Sequence, residues 1–185
     1  MLLAGLVSAL ASLGPWGLWA VNPTPSSAAL QFAPIPTPAE IERARLRGIA
    51  KVFAVVEELS ADAAKCSLRK SEVELAVARP LIDGGIYLPQ MTLSDPRFYV
   101  VINVMAHQSG LCVANIDVEV TTTTLGVLAY QVGVVSRPTT HSVVVWEQGT
   151  VMAGSPSIVR DGVLAKLREV ADQFVTKVKI ANLTP

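Results

Sequence analysis

The chain has 185 residues, 51% of them apolar and only 16% charged, and its 15 Lys+Arg balance its 15 Asp+Glu. That length accommodates one domain with an appendage. High apolarity at zero net charge excludes intrinsic disorder, which needs the opposite balance, and the missing basic field excludes a general nucleic-acid binder.

The first charged side chain is Glu40. Met1 to Ala20 is an apolar run, and the stretch after it, VNPTPSSAALQFAPIPTP, holds five of the twelve prolines. This order reads as a signal peptide or N-terminal anchor at 1–20, a Pro/Ser/Thr-rich linker at 21–39 and a single α+β domain at 40–185. The n-region carries no Lys or Arg, and cleavage after Ala20 leaves Leu18 at the −3 position; cuts after Ala28 or Ala29 are alternatives. A retained anchor has just the ~20 apolar residues that a span needs, although Pro15 and the nearby glycines suit a membrane helix poorly. Lipidation at an N-terminal cysteine is not available before Cys66. The expected location is periplasmic or extracellular, anchored only if residues 1–20 are kept.

Glu40 to Arg47 is the densest charge cluster and suits a solvated helical turn or the lead-in to a strand. Lys51 to Leu59 reads as a buried first strand, and Ser60 to Arg69 as a polar turn carrying Cys66. Ser71 and Glu74 fit a capping box. The helix it opens presents Val73, Val77 and Leu81, with a kink or early end expected at Pro80 and a stop at Gly84-Gly85. Ile86 to Pro89 suggests a short edge strand and residues 93–96 a turn.

Arg97 to Gln108 alternates as a strand, with Val100, Ile102, Val104 and Ala106 on one face and Tyr99, Val101, Asn103, Met105 and His107 on the other. After the Ser109-Gly110 turn, Leu111 to Thr124 alternates Ala114, Ile116, Val118 and Val120 with Asn115, Asp117, Glu119 and Thr121. The two strands are expected as a hairpin in an antiparallel sheet with one wet side. Val127 to Val135 and His141 to Gln148 read as further strands, with Gly149 and Gly154 breaking the pattern.

Ser155-Pro156 is a helix start. Val159, Val163, Leu167, Val170, Phe174 and Val178 then recur at steps of three or four, the stripe of a long amphipathic helix. The resulting fold class is α+β, a two-layer sandwich of a mainly antiparallel sheet with two helices packed on one face.

The chemistry search is largely negative. The sequence has no G-x-S-x-G elbow, no P-loop and no dinucleotide fingerprint. His107 and His141 are the only candidate bases, and a hydrolase with an unrecognised site would have to be built on one of them. Asp117 and Glu119, about 7 Å apart along a strand, suit a hard cation less well than a solvated sheet face; Glu57-Glu58 is the other carboxylate pair. No catalytic, cofactor-binding or metal-ligating residue is assigned, and no cofactor is expected. Thr121–Thr124 and Val143–Trp146 are β-rich runs that would offer strand pairing if exposed on an edge; the core reading is adopted for both. The two cysteines, Cys66 and Cys112, read most simply as one disulfide in an oxidising compartment, closing a loop of 46 residues and contributing about 2–4 kcal/mol, or else as two buried thiols.

From about Val52 to Asn182 the chain carries Glu-Glu-Leu-Ser (57–60), Ala-Ala-Lys-Cys (63–66), Pro-Leu-Ile-Asp-Gly-Gly-Ile (80–86), Phe-Tyr-Val-Val-Ile-Asn-Val (98–104), Gly-Leu-Cys-Val (110–113), Val-Trp-Glu (145–147) and Asp-Gln-Phe (172–174) near Ala-Asn (181–182). This layout resembles small exported bacterial proteins of an uncharacterised family. The resemblance implies a periplasmic protein with a Cys66–Cys112 bridge and supplies no activity. The expected role is therefore an exported, non-enzymatic binding or accessory domain with a protein partner in the cell envelope and no nucleic acid. A retained N-terminus would make it a membrane-tethered accessory of envelope assembly or transport.

Overall fold

Period-two alternation sorts the side chains of a strand onto two faces, and the two central strands here are divided cleanly by it. Phe98, Val100, Ile102 and Val104 on one strand and Ala114, Ile116, Val118 and Val120 on the next are all buried, while the residues between them remain partly or fully exposed. The computed structural model describes residues 35–126 and 139–183. The signal peptide or anchor expected at 1–20, nearly all of the linker expected at 21–39 and the strand expected at 127–135 lie outside the described residues.

Within the compact unit that starts at Pro36, the element order is α1 (Pro38–Leu46), β1 (Phe53–Val56), α2 (Ala61–Lys65), α3 (Lys70–Asp83), β2 (Arg97–Ala106), β3 (Cys112–Gly126), β4 (Thr139–Gly154) and α4 (Pro156–Leu183). The four strands form one sheet in the order β1-β2-β3-β4. β1 runs parallel to β2, with α2 and α3 in the crossover between them, whereas β2, β3 and β4 are antiparallel neighbours. The class is α+β, with a mixed sheet in which two of the three pairings are antiparallel.

The helical layer sits on the face that carries Phe98 to Val104. Every predicted member of the α4 stripe is buried, and Leu164, Ala171, Val175 and Ala181 extend it. Such a helix is held by burial rather than propensity, at about 1.5–3 kcal/mol for each large apolar side chain fully removed from water. Phe174 projects from α4 between Phe98 of β2 and Trp146 of β4, with ring centroids 5.4 and 5.3 Å away. α3 packs beside α4 through Val73, Ala76, Val77, Pro80 and Leu81. At the end of α3, Gly84 leaves no room for a side chain against α4: a Cβ there would lie 2.5 Å from Val175 Cγ1. Two side chains of α4 also tie down other elements. Arg160 donates to both carboxylate oxygens of Glu72 on α3. Asn182 accepts from the Gly48 amide and donates to the Ile49 carbonyl, fixing the loop after α1.

The structure corrects several local expectations. Ser60 to Arg69 is not simply a turn: residues 61–65 form α2, and Asp62 accepts hydrogen bonds from the Ala106 amide and from Lys65. The capping box at Ser71 and Glu74 is not formed. α3 begins two residues earlier than a Ser71 cap would set, at Lys70, behind Arg69 with no side-chain cap bond; Glu72 in its first turn pairs with Arg160 on the neighbouring helix. Pro80 does not end α3, which continues to Asp83. Its missing N–H falls in the last turns of a helix whose inner face is buried, so packing overrides the lost bond. Ile86 to Pro89 contributes a single bridge, Val52 to Tyr87, rather than a strand. Gly149 does not break the fourth strand, because it pairs with Asp117 and β4 runs on to Gly154.

Candidate interaction site

A sheet of four strands has two outer edges, and unpaired edges invite other chains. The β1 edge starts against the 86–88 segment, where Val52 donates to Ile86 and accepts from Leu88. The stretch of β2 beyond β1 is closed by α2: the Ser60 hydroxyl donates to the Val104 carbonyl, and Asp62 accepts from Ala106. The Lys65 hydrogen bond, followed by that amide, holds the Asp62 carboxyl below its ordinary value. The disulfide pins this closure in place, since Cys66 at the end of α2 is bonded to Cys112 at the start of β3 with both residues buried (S–S 2.00 Å).

The β4 edge is different. Among the described residues it has no strand on its outer side. β3 and β4 also outrun the sheet: β2 starts at Arg97, opposite Thr121, so residues 122–126 and 139–143 pair only with each other. This arm extends about 17 Å past β2 at 3.4 Å per residue. Where the arm leaves the sheet, the register shifts between Val120, opposite Trp146, and Thr121, opposite Val144, so that Val145 is the extra residue of a bulge. The bulge resolves the ambiguity of the Val143–Trp146 run. Val145 and Trp146 are core, while Val143 and Val144 are 43% and 40% exposed. The core reading holds for only half of the run.

α1 lies alongside this edge, and a groove of about 710 Å³ runs between them, lined by Pro38, Ala39, Ile41, Glu42 and Arg45 of α1 and by Val144 to Glu147 of β4. α1 is placed there by local sequence. Thr37 caps it, with the Glu40 amide donating to its hydroxyl, Glu40 accepting from the Thr37 amide and Pro38 at the first helical position. The Thr37 amide also holds the Glu40 carboxyl below its ordinary value. Leu46 anchors the helix in the core. Glu42 accepts from Lys177 of α4 at 2.5 Å, and the Lys177 ammonium in turn lies 6.0 Å from the centre of the Trp146 ring. Arg45 and Glu147, on opposite walls of the groove, make no ion pair among the described residues. The groove thus combines an apolar floor, two uncommitted charges and an open backbone edge, the components of strand addition with side-chain selection.

The candidate bases do not come together. His107 is exposed in the β2–β3 turn, its Nδ1 2.8 Å from Ser109 Oγ and accepting from the Ser109 amide, a contact local to the turn. His141 stands on the β3–β4 arm, opposite Thr124. Asp117 and Glu119 lie on the open face of the sheet, Asp117 accepting from Asn115 at 2.6 Å. Among the described residues, no group of three or more His, Cys, Asp or Glu is placed to hold a metal ion, and no helix is long and apolar enough to cross a membrane. Sequence reasoning missed α1 as a wall of the groove, although Thr37-Pro38-Ala39-Glu40 is a legible capping box. No family model, curated protein or solved structure matches the chain.

Proposed function

We propose that this chain is an exported, non-enzymatic domain that binds another protein of the cell envelope by accepting a strand or extended segment along β4, beside α1. The observation that carries this reading is the long outer strand β4, open along one edge among the described residues and flanked by a side-chain-lined groove. Export is supported by the bridge between Cys66 and Cys112, since disulfides persist in oxidising compartments. The zero net charge fits a protein partner and gives no attraction to nucleic acid.

Pull-down from native envelope extract tests the binding, with wild-type chain compared against Val144→Asp. This substitution places a charge in the groove at an exposed position and leaves the core intact. A reproducible protein captured by the wild type and lost with Val144→Asp is the expected result. Capture of the same protein by both, or of none by the wild type, overturns the assignment to this edge. N-terminal sequencing of the mature protein tests export: a start near Val21 marks a cleaved signal, and a retained Met1 in the envelope fraction marks a tethered accessory. Recovery from the cytosol with reduced cysteines overturns the export reading.

A further inference from the structure

Among the described residues, the sheet has a second surface with no element on it, on the face turned away from α3 and α4. The strand registers place two kinds of side chain there. Met105, Val113 and Ala153 share one row across β2, β3 and β4, and Val151 stands in the next row. Met105 and Val151 are 65% and 66% exposed, a high value for large apolar side chains on a sheet. Six residues further along β2, about 20 Å away, the row of Tyr99, Glu119 and Glu147 carries charge instead. Glu119 and Glu147 are direct cross-strand partners, an arrangement that opposes like charges and disfavours the ladder. Neither makes an ion pair among the described residues.

Between them and Asp117 the strand carries no side chain. Gly149 faces Asp117, and a Cβ at 149 would stand 3.0 Å from Asp117 Oδ1. The result is a depression of about 330 Å³ walled by Asp117, Glu119 and Glu147, open to solvent. Glu57, held by the Tyr99 hydroxyl, adds a fourth carboxylate at this end of the face, which Arg97 also reaches by its place in the register of β2. The three walls are not placed to hold a metal ion. Their opening suits the larger cation at the end of a lysine or arginine side chain.

We propose that this face docks an amphipathic helix of a partner protein, with a Lys or Arg of the helix seated over Gly149 and apolar side chains resting on Met105, Val113 and Val151. At 1.5 Å per residue, a helix that spans the two patches needs about 13 residues. Charge complementarity selects this occupant: a carboxylate-rich end repels anionic lipid and nucleic acid and attracts a basic peptide. The surface borders the β4-edge groove at Glu147, the one residue that lines both, so variants at Asp117, Glu119 and Met105 on one side and at Val144 on the other distinguish it from the strand-addition reading.

The test uses the folded chain with its disulfide intact and a synthetic helical peptide of about 14 residues, Lys-bearing at one end and Leu-bearing at the other. Binding is followed by fluorescence anisotropy and mapped by amide chemical-shift perturbation. The expected result is saturable binding that perturbs residues of 99–105, 113–119 and 147–153. Binding weakens about tenfold in Asp117→Asn/Glu119→Gln, weakens with added salt and persists in Val144→Asp. Met105→Asp weakens it at the other end of the face. No saturable binding, equal affinity in Asp117→Asn/Glu119→Gln, or perturbations confined to residues 38–45 and 144–146 would each overturn the proposal. So would binding to phosphatidylglycerol vesicles through the same residues.

Discussion

Reducing the Cys66–Cys112 bond is the most direct perturbation of this fold, because its size follows from the chain alone. The bridge closes a loop of 46 residues. The chain-entropy relation −2.1 − 1.5R ln n then gives about −13.5 cal/mol/K, or about 4 kcal/mol at 25 °C, removed from the unfolded ensemble by the bond. With a urea m-value of about 2 kcal/mol/M for a domain of this size, reduction lowers the unfolding midpoint by about 2 M. The assay is urea unfolding of oxidised protein, of protein kept reduced with a thiol reagent, and of Cys66→Ala/Cys112→Ala. Reduction retains both sulfurs and isolates the loop contribution, whereas the double variant also leaves a small void between two buried positions. A local effect accompanies the global one. Freed from Cys112, α2 no longer clamps the β2 edge, so exchange of the Ala106 amide that donates to Asp62 accelerates more than exchange of amides at the centre of β3. A reduced protein whose midpoint moves by less than about 0.5 M, with Ala106 still protected, would refute the claim that this bond holds the crossover segment against the sheet.

Other outcomes follow from the packing and the ion pairs. Phe174→Ala removes the ring between Phe98 and Trp146 and is expected to cost about 3–5 kcal/mol in equilibrium unfolding; a loss under about 1 kcal/mol would mean that the helical layer does not rest on this cluster. Gly84→Ala drives a methyl to 2.5 Å from Val175 Cγ1 and should destabilise by about 1–3 kcal/mol. Val175→Ala in the same chain should recover part of that, so additive losses in the double variant would contradict the close approach of α3 and α4. Arg160 holds the Glu72 carboxyl below its ordinary 4.5, so the pair stabilises the fold above that value and loses its contribution as pH falls through the lower folded value. Glu72→Gln is therefore expected to lower the urea midpoint at neutral pH and to flatten its fall below pH 4.5; an unchanged acid limb would show that the pair makes no net contribution.

How much of this was legible beforehand depended on whether a residue's environment is set by local pattern or by a partner distant in sequence. The α4 stripe and the alternation of β2 and β3 are periodic, and periodicity sorted their buried and outer faces correctly, because a buried face leaves one register open; it carried the β2 strand too far, since His107 lies in the turn after Ala106. The start of α3 was misjudged, since the helix opens at Lys70 behind Arg69 with no side-chain cap bond, and Glu72 in its first turn pairs with Arg160, 88 positions away. Gly149 looked like a strand breaker because the sequence does not show that Asp117 stands opposite it, with Oδ1 3.0 Å from where a Cβ would be. The Val143–Trp146 run was ambiguous for a related reason, since a bulge reverses which side of the strand is buried partway through an apolar run. That bulge also generates the candidate site. It turns Val144 out beside α1 just where β3 and β4 leave the sheet, so an apolar residue, an open backbone edge and a capped helix meet at one point. Edge strands in soluble proteins are usually blunted by charge, proline or an overlying element. Here β1 and β2 follow that rule through the 86–88 segment and α2, and β4 departs from it with two exposed valines. Among the described residues, one edge is closed by a disulfide-pinned helix and the other is left apolar and grooved, and the binding proposed at β4 rests on that asymmetry.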